Sequence, residues 1–269
     1  FQVRFGGRIN QRWENDRLYI DYIDSDIVEA TPYDMNISGY NSFAVNKLRL
    51  WTASAPKVFD MQLFSEGQYV KSTEAQALAE SICKVLYPAD HHTEGKMLRL
   101  KQQYFFVSAS MQSIIKQHLN QYGTLDNFAD KVAIHINDTH PTLCIPELMR
   151  LLLDEYGYNW DRAWEIVTKT ISYTNHTVMA EALEKWTRSV LVQVVPQVMP
   201  VMEKLDALAR TRTDNEAVAV IDKNDVIHMA HMDIHFTHST NGVAALHTEI
   251  LKNSELADFY QLYPEKFNN

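Results

Sequence analysis

The chain has 269 residues, 46% of them hydrophobic and 22% charged, a composition typical of a globular protein with the length for one large domain or two small ones. Its formal net charge of −9 argues against a nucleic-acid partner, because such proteins usually present a basic face to the phosphates. No apolar run approaches the ~20 residues that span a bilayer, so no membrane partner is expected.

The composition also restricts the compartment and the chemistry. Only two cysteines occur, Cys83 and Cys144, both inside amphipathic helical patterns, which favours buried free thiols in a reducing, cytoplasmic compartment over a disulfide. No charged-then-apolar leader opens the sequence. The 8 glycines form no glycine-rich phosphate motif, so this stretch of chain is not expected to cradle a phosphate in that way.

Residues 1–55 are predicted to form an antiparallel β meander. Apolar and polar residues alternate at 1–5, 18–22 and 48–51, as they do in half-buried strands. Turn-forming residues separate these runs at 6–7, 15–16 and 32–34.

Residues 56–269 are predicted to form an α/β core, which together with the meander makes a single domain, 1–269. Thr73 and Gln76 have the spacing of a capping box, so a helix should start there with an apolar stripe at Leu78, Ile82, Val85 and Leu86. A long helix should follow from Lys96 to about Gln121.

A βαβ unit comes next in the sequence, with strands predicted at 132–136 and 171–173. Its first helix should begin around Ile145-Pro146-Glu147, and Asp161 should cap the second. The remaining expected elements are helical segments interrupted by Pro196 and Pro200, a hairpin joining 217–221 to 226–232, and a helical stretch from Val243 to Leu262.

Two polar loops follow the strands of this unit, at 137–141 (NDTHP) and 174–177 (TNHT), and each precedes a helical pattern. In open α/β sheets, ligands bind outside the carboxyl ends of the strands. The loops therefore predict a site for a polar ligand, with Asp138, His140, Asn175 and His176 among its residues. The alternative for Asp138 is a helix cap or an Asx turn, and for His176 a partly exposed position beside a cap made by Thr177.

Three further polar clusters favour a structural role. Asp90, His91 and His92 lie in a loop that could bind a metal, but neighbouring side chains diverge, and a mobile surface loop is favoured. The run His228, His231, His235, His238 would share one face of a helix, yet its first part reads as a strand that points His228 and His231 to opposite faces. Glu181 and Glu184 read as a solvated helix surface.

Read together, several segments resemble the α-glucan phosphorylases, the family of the glycogen, starch and maltodextrin phosphorylases. The similarity runs in order along nearly all of the chain, and its blocks are 85–88 (VLYP), 95–105 (GKMLRLKQQYF), 137–141 (NDTHP), 145–148 (IPEL), 173–177 (YTNHT), 181–184 (EALE), 241–244 (NGVA), 246–247 (LH) and, in outline, 35–51.

The resemblance implies part of the N-terminal, Rossmann-like lobe of a GT-B glycosyltransferase fold. It implies an enzyme that cleaves terminal α-1,4-glucosyl units with inorganic phosphate to give glucose 1-phosphate, and that works as a homodimer. The family's cofactor is pyridoxal 5'-phosphate, whose phosphate relays a proton to the substrate phosphate. The cofactor lysine and the phosphate-binding residues are expected outside this sequence, so no cofactor is expected on this chain alone.

The resemblance also assigns residues. His176 matches the family histidine that contacts the glucosyl 6-hydroxyl and whose main-chain carbonyl faces the developing oxocarbenium, which makes it the catalytic candidate. Asp138 and His140 match the pair beside the glucose, and Asn175 adjoins His176. Asp90 matches the acidic residue of a gating loop. His91 stands where the family has an asparagine that holds the sugar, and no residue matches a metal ligand.

The sequence begins in a strand-like pattern and ends at 266–269 without a polar tail, so it is expected to be an excised piece of a longer enzyme and inactive alone. Two rival hypotheses remain: a non-enzymatic carbohydrate-binding module derived from the same lobe, and a metal-dependent hydrolase that uses the histidine clusters.

Overall fold

A computed structural model describes residues 1–269, the side chain of Ala180 excepted, and shows a mixed α/β protein. The strands are β1 (Gln2–Phe5), β2 (Arg8–Glu14), β3 (Arg17–Ile23), β4 (Asp26–Ser38), β5 (Val45–Ser54), β6 (Ile134–Asn137), β7 (Ile171–Asn175), β8 (Lys185–Thr187), β9 (Val226–His228) and β10 (Thr240–Gly242). The helices are α1 (Met61–Ser65), α2 (Lys71–Lys84), α3 (Thr93–Tyr122), α4 (Phe128–Lys131), α5 (Cys144–Arg150), α6 (Trp160–Thr170), α7 (Arg188–Val194), α8 (Met199–Arg210), α9 (Met229–Phe236), α10 (Ala245–Asn253) and α11 (Ala257–Leu262).

The first 54 residues contain five antiparallel strands, but they do not form one meander. β1 pairs with β4 and β4 with β5, while β2 and β3 make a separate hairpin. Asn15 and Asp16 turn that hairpin with left-handed φ angles of 52° and 57°, as the sequence predicts. The turn expected at 32–34 is wrong, because these residues lie inside β4. Pro32 is accommodated past the end of β1, where β4 has a neighbour on one side only.

The hairpin of β2 and β3 is held against the far end of the α5 segment by Arg17 and by the Ile20 N–H, which donates to Asp154 Oδ1 at 3.1 Å. α5 continues into a π-helical turn, Leu151–Glu155. Arg17 donates from Nε to the Leu153 carbonyl (3.1 Å) and from Nη2 to the Asp154 carbonyl (3.1 Å). These carbonyls belong to the last turn, whose acceptors have no partner further along the helix. The arginine therefore satisfies a helix end from 136 residues earlier in the chain.

The long helix α3 confirms the prediction and crosses the core, with Phe105, Ala109 and Ile115 buried. It ends at Gly123, whose φ of 71° is the left-handed C-cap geometry. The start of α2 differs from expectation: the helix begins at Lys71, and Gln76 accepts a hydrogen bond from Ala55 instead of closing a capping box.

The apolar stripe expected on α2 and just beyond it is also largely absent from the core. Ile82 is buried, whereas Leu78, Val85 and Leu86 are exposed. The spacing of these residues alone did not show which of them have neighbours to pack against.

The βαβ unit is confirmed. β6 and β7 are parallel, with Ile136 opposite Tyr173, and β10 adds a third parallel strand on the other side of β7. α5, its π-helical turn and α6 make the crossover between β6 and β7. Asn159, not Asp161, caps α6 by accepting from the Arg162 N–H at 3.0 Å. The carboxyl ends of β6 and β7 thus lie side by side, as predicted.

The hairpin predicted to join 217–221 to 226–232 is confirmed only beside its turn. Ile221 bridges antiparallel to Ile227, with main-chain hydrogen bonds from Asp222 to Val226 and from His228 to Val220. Beyond that the prediction is wrong, because β9 pairs with β8 and the chain turns at Met229 into the helix α9. Seven of the eight residues of α9 are buried, so the helix has no solvent-exposed face. A helix buried on every side lacks the alternation of buried and exposed positions with a 3.6-residue period by which a helix is recognised in a sequence.

Several smaller features complete the fold. Cys83 is half-buried in α2 and Cys144 buried in α5, and both are free thiols, as expected. Pro196 and Pro200 divide the helical region into α7, a short turn and α8, and the last helical stretch is divided into α10 and α11. None of the described helices is long and apolar enough to cross a membrane. Buried side chains from Val3 to Phe267 form one continuous core.

Candidate functional site

The loop after β6 carries both structural and cavity-facing groups. Asp138 has a left-handed φ of 61° and donates its N–H to the Thr174 carbonyl at 2.9 Å, which prolongs the pairing of the two strands. Its Oδ1 accepts from the Thr139 N–H at 2.8 Å, one residue along, so this contact is not the Asx turn that the sequence offered as an alternative. Its Oδ2 lies 3.9 Å from His140 Nε2. One carboxylate therefore shapes the loop and contributes to the site.

A polar cavity of about 570 Å³ opens between this loop, the start of α3 and the segment that leads into α7. This volume lies within the range of small-molecule sites. Its lining contains four carboxylates, three basic side chains and one imidazole: Asp90, Asp138, Glu181, Glu184, Lys96, Arg99, Lys185 and His140. The structure therefore brings together Asp90, Asp138 and His140 of the residues predicted from the sequence.

Glu184 is the cavity residue that sequence reasoning missed. Its Oε1 accepts from Gln103 Nε2 at 2.7 Å, and its carboxylate lies 3.8 Å from Arg99 Nε. The expected helix after the second loop is instead a short turn, Ala180–Ala182, followed by β8, and this extended path directs Glu184 inward. Burial raises the pKa of the Glu184 carboxyl, while the hydrogen bond from Gln103 and the charge of Arg99 lower it.

Arg99 fixes the orientation of His140. Its Nη2 lies 3.3 Å from His140 Nδ1, and its guanidinium stacks over the Tyr87 ring at 4.8 Å. Because a guanidinium is always a donor, Nδ1 acts as the acceptor, and the hydrogen of the neutral ring lies on Nε2, which faces Asp138. The block at 95–105 pointed to this helix but gave no sign that Arg99 reaches the loop.

The loop after β7 holds its two predicted residues differently. Asn175 is fully buried, donates to the Tyr173 hydroxyl at 2.9 Å and accepts from the Thr177 N–H at 2.9 Å, so both ends of its amide are used inside the loop. The His176 side chain is exposed and does not line the cavity. Thr177 caps a turn rather than a helix, accepting from the Met179 N–H at 3.2 Å.

The residues of the 90–95 loop also separate. Asp90 lines the cavity, but His91 is exposed and lies outside the lining. His92 caps α3, where its Nδ1 accepts from the Gly95 N–H at 2.9 Å. The two imidazoles meet edge to face, 4.9 Å apart.

The histidines around α9 are packing groups. His228 and His231, expected on opposite faces of a strand, stack at 4.5 Å because His231 lies in the first turn of the helix. His231 bonds to the Ala219 carbonyl, and His235 bonds to the Val218 carbonyl and the Tyr263 hydroxyl. Burial lowers the pKa of His231 and of His235 to about 4, so both rings are neutral at pH 7. Across the described part of the chain, no three His, Cys, Asp or Glu side chains are placed to hold a metal ion.

The fold and this cavity define an α/β protein with a polar cavity beside the carboxyl ends of parallel strands. The family model for carbohydrate phosphorylases matches residues 1–269. The chain therefore belongs to the carbohydrate phosphorylase family.

Individual relatives agree with this assignment. The chain is 42% identical over 287 residues to cytosolic alpha-glucan phosphorylase 2 of Arabidopsis thaliana, with 100% of the chain and 34% of the relative covered. It is 42% identical over 286 residues to the brain form of human glycogen phosphorylase, with 99% and 34% covered. For the H isozyme of alpha-glucan phosphorylase from Solanum tuberosum the identity is 42% over 287 residues, with 100% and 34% covered. The chain spans about a third of the length of these relatives.

Proposed function

We propose that this chain forms one wall of the active site of an α-1,4-glucan phosphorylase, which uses inorganic phosphate to release glucose 1-phosphate from glucan ends. The observation that carries the proposal is the meeting of the NDTHP loop with Arg99 and Glu184 around the polar cavity, in a chain of this family. Because the relatives are about three times as long, the isolated chain is proposed to be inactive.

The proposed architecture is part of the N-terminal, Rossmann-like lobe of a GT-B fold, with residues 1–269 as a single domain. The parallel sheet with the order β10-β7-β6 and its helical crossover support this assignment. In this arrangement the cavity is one side of a cleft, and the opposite side belongs to the rest of a full-length enzyme. That enzyme is proposed to be a cytoplasmic homodimer that binds neither nucleic acid nor membrane.

Each site residue has a proposed task. The exposed His176 ring contacts the sugar, and its main-chain carbonyl stabilises positive charge that develops at the reacting carbon, since a fixed dipole aimed at such charge lowers the barrier. Asp138 and His140 accept and donate hydrogen bonds to sugar hydroxyls from the side of the cavity, with Asn175 holding the loop of His176 in shape. Asp90 and His91 lie on a loop that closes over the ligand.

The full-length enzyme is proposed to use pyridoxal 5'-phosphate, whose phosphate group supplies acid catalysis when bound. The residues of this chain do not suit that group. Four carboxylates face the cavity, and no nest of main-chain N–H groups from a glycine-rich loop adjoins them in the sequence. No residue here is therefore assigned to the cofactor, and no step is derived through it.

A chimera tests the proposal. The 269 residues replace the matching segment of the Arabidopsis cytosolic relative, and glucose 1-phosphate release from maltodextrin and phosphate is measured with the intact relative as the reference. Release is expected from a chimera that is folded and carries the cofactor, as judged by circular dichroism and by cofactor absorbance. A folded, loaded chimera without activity contradicts the proposal.

The role of His176 is tested in the same chimera. His176→Ala removes the ring proposed to contact the sugar but keeps the main-chain carbonyl, so it should lower kcat/KM by about tenfold, the effect of losing about 1.4 kcal/mol of hydrogen bonding. His92→Ala is the matched control, because it also removes a loop imidazole but one that only caps α3. Equal losses in the two variants would refute the assignment.

The alternative is a non-enzymatic carbohydrate-binding module, which the chain's coverage of only a third of its relatives keeps open. Titration calorimetry of the isolated chain with maltoheptaose separates the two hypotheses. Micromolar binding by the isolated chain together with an inactive, folded chimera would favour the module.

A further inference from the structure

Asp233 is a completely buried carboxyl group beneath the candidate site. It lies in α9 with 0% of its surface exposed, and its Oδ1 has no hydrogen-bond partner among the described residues. Its Oδ2 lies 2.7 Å from the Thr142 hydroxyl. An ionised carboxylate in such a place would be costly, because the desolvation of a charge must be repaid by partners on both oxygens.

The hydroxyl of Thr142 settles where the proton lies. Its Oγ1 is 2.8 Å from the Thr139 carbonyl oxygen and 2.7 Å from Asp233 Oδ2. Both contacts have hydrogen-bond length, and with both formed the single hydroxyl hydrogen of Thr142 points to Thr139, because a carbonyl oxygen can only accept. The short contact to Asp233 then requires a hydrogen on Oδ2, since two lone-pair oxygens without a proton between them would repel at this distance.

The surroundings of Asp233 support the same charge state. The titratable groups that face it are Asp138 from the site loop, Glu184 from the cavity, Cys144 from α5 and Tyr173 from β7. Two of these are carboxylates that oppose a further negative charge, and the thiol and phenol are neutral. No lysine, arginine or histidine in the described part of the chain forms an ion pair with Asp233.

We propose that Asp233 is a positioning residue held as a neutral carboxylic acid. It donates a hydrogen bond to the Thr142 hydroxyl and through it fixes the NDTHP loop of the site. The relay runs from Asp233 Oδ2–H to Thr142 Oγ1 and from Thr142 Oγ1–H to the Thr139 carbonyl. Thr139 lies between Asp138 and His140, and its own hydroxyl is 3.4 Å from Glu184 Oε2. The protonated Asp233 thus orients Asp138, Thr139 and His140, whose side chains line the cavity.

The charge state is tested on the 269-residue chain by infrared spectroscopy at pH 7. Wild type minus Asp233→Asn should show the carbonyl band of a protonated carboxylic acid. A carboxylate band in its place overturns the proposal. This measurement does not depend on any activity, so it stands or falls separately from the phosphorylase function.

The pH dependence of stability gives a second readout. A neutral buried acid has a raised pKa in the folded state, so its contribution to stability is complete below the unfolded pKa of about 4 and is lost as the pH rises through the folded pKa. The folding equilibrium constant of the wild type, divided by that of Asp233→Asn, should therefore fall by up to about tenfold for each pH unit above pH 4. A constant ratio from pH 5 to pH 8 would contradict the proposal.

Positioning is tested by amide hydrogen exchange of Asp138, Thr139, His140 and Thr142, the residues of this loop that carry a main-chain N–H. Asp233→Ala and Thr142→Val should each raise the exchange of these amides by about tenfold, the factor expected for one lost hydrogen bond. Asp233→Asn and Thr142→Ser keep a donor and a hydroxyl, and should leave the exchange as in wild type. Thr237→Val is the matched control, because it removes a buried hydroxyl bond to the Asp233 main-chain carbonyl without touching the loop.

The last arm rests on the proposed function. In the chimera, Asp233→Ala should raise KM for maltodextrin more than it lowers kcat, and Asp233→Asn should restore KM. An inactive parent chimera would contradict the phosphorylase proposal alone. Restored loop exchange without restored KM would contradict the positioning role.

Discussion

The regions around α5 and α9 both bury ionisable side chains, but they do so in opposite ways. In the first, Glu147 accepts from Arg150, Tyr104 and Ser108 at 2.7–2.9 Å, so that charge is kept and paired. In the second, Asp233, His231 and His235 have no such counter-ion and meet hydroxyl or carbonyl groups. Burial alone therefore does not determine whether a group is charged. The partners that surround the group do.

The largest effect expected from this contrast is at Glu147. Glu147→Ala leaves Arg150 buried without its main counter-ion, and breaking a buried pair on one side costs about 3–5 kcal/mol of unfolding free energy. Urea denaturation measures this loss. Glu165→Ala, which removes an exposed pair with Lys169 on α6, is the control and should cause little change. Similar losses in the two variants would show that the α5 cluster is not held by its charges.

The second effect is the acid sensitivity of the α9 region. Because burial lowers the folded pKa of His231 to about 4, its contribution to stability is complete above the unfolded pKa of about 6.5 and is lost as the pH falls towards 4. The loss from His231 alone is on the order of 3 kcal/mol. His228 stacks on this ring at 4.5 Å and lowers the pKa of His231 further.

Thermal unfolding between pH 7.5 and pH 4.5 measures the histidine effect, with His231→Gln as the comparison. The variant should be less stable than wild type at pH 7.5, and the gap should close as the pH falls. Parallel pH profiles for the two proteins would contradict a neutral buried His231.

The smallest effect is expected at Glu184, which shares a nearby cation with the α5 region and a burial-shifted pKa with the α9 region. It has a cation nearby, Arg99, yet burial still raises the pKa of its carboxyl. Stability that it contributes at low pH is lost as the pH rises through the folded pKa, so Glu184→Gln should gain on wild type from pH 4.5 upward. This gain in stability should be smaller than the stability change of His231→Gln in the same thermal assay. A larger gain would indicate that Glu184 is held as a neutral acid, as proposed for Asp233.

The parts of the fold that the sequence predicted are those in which one face is buried. α3 and the strands β6 and β7 present such a face, and the side-by-side carboxyl ends of these strands placed Asp138 and His140 correctly. The sequence predicts a strand through residue 232, where α9 has already begun, because a helix buried all around has no exposed face to reveal its period.

The site was predicted only in part for a related reason. Glu184 depends on Gln103 and Arg99, which lie some eighty residues earlier in the chain, and no local pattern reports such contacts. His176 and His91 were placed at the site by resemblance, whereas the structure shows both as exposed side chains beside the cavity rather than in its wall. Their roles therefore stay predictions.

The arginine that joins the β2–β3 hairpin to the end of the α5 segment has a consequence for the birth of the chain. Arg17 leaves the ribosome 136 residues before the carbonyls of Leu153 and Asp154 to which it donates. At synthesis rates of 5–20 residues per second, that interval is roughly 7–27 s. During it the two hydrogen bonds from Arg17 cannot form, so the docking of the hairpin on the α5 segment is a late step in the folding of the nascent chain.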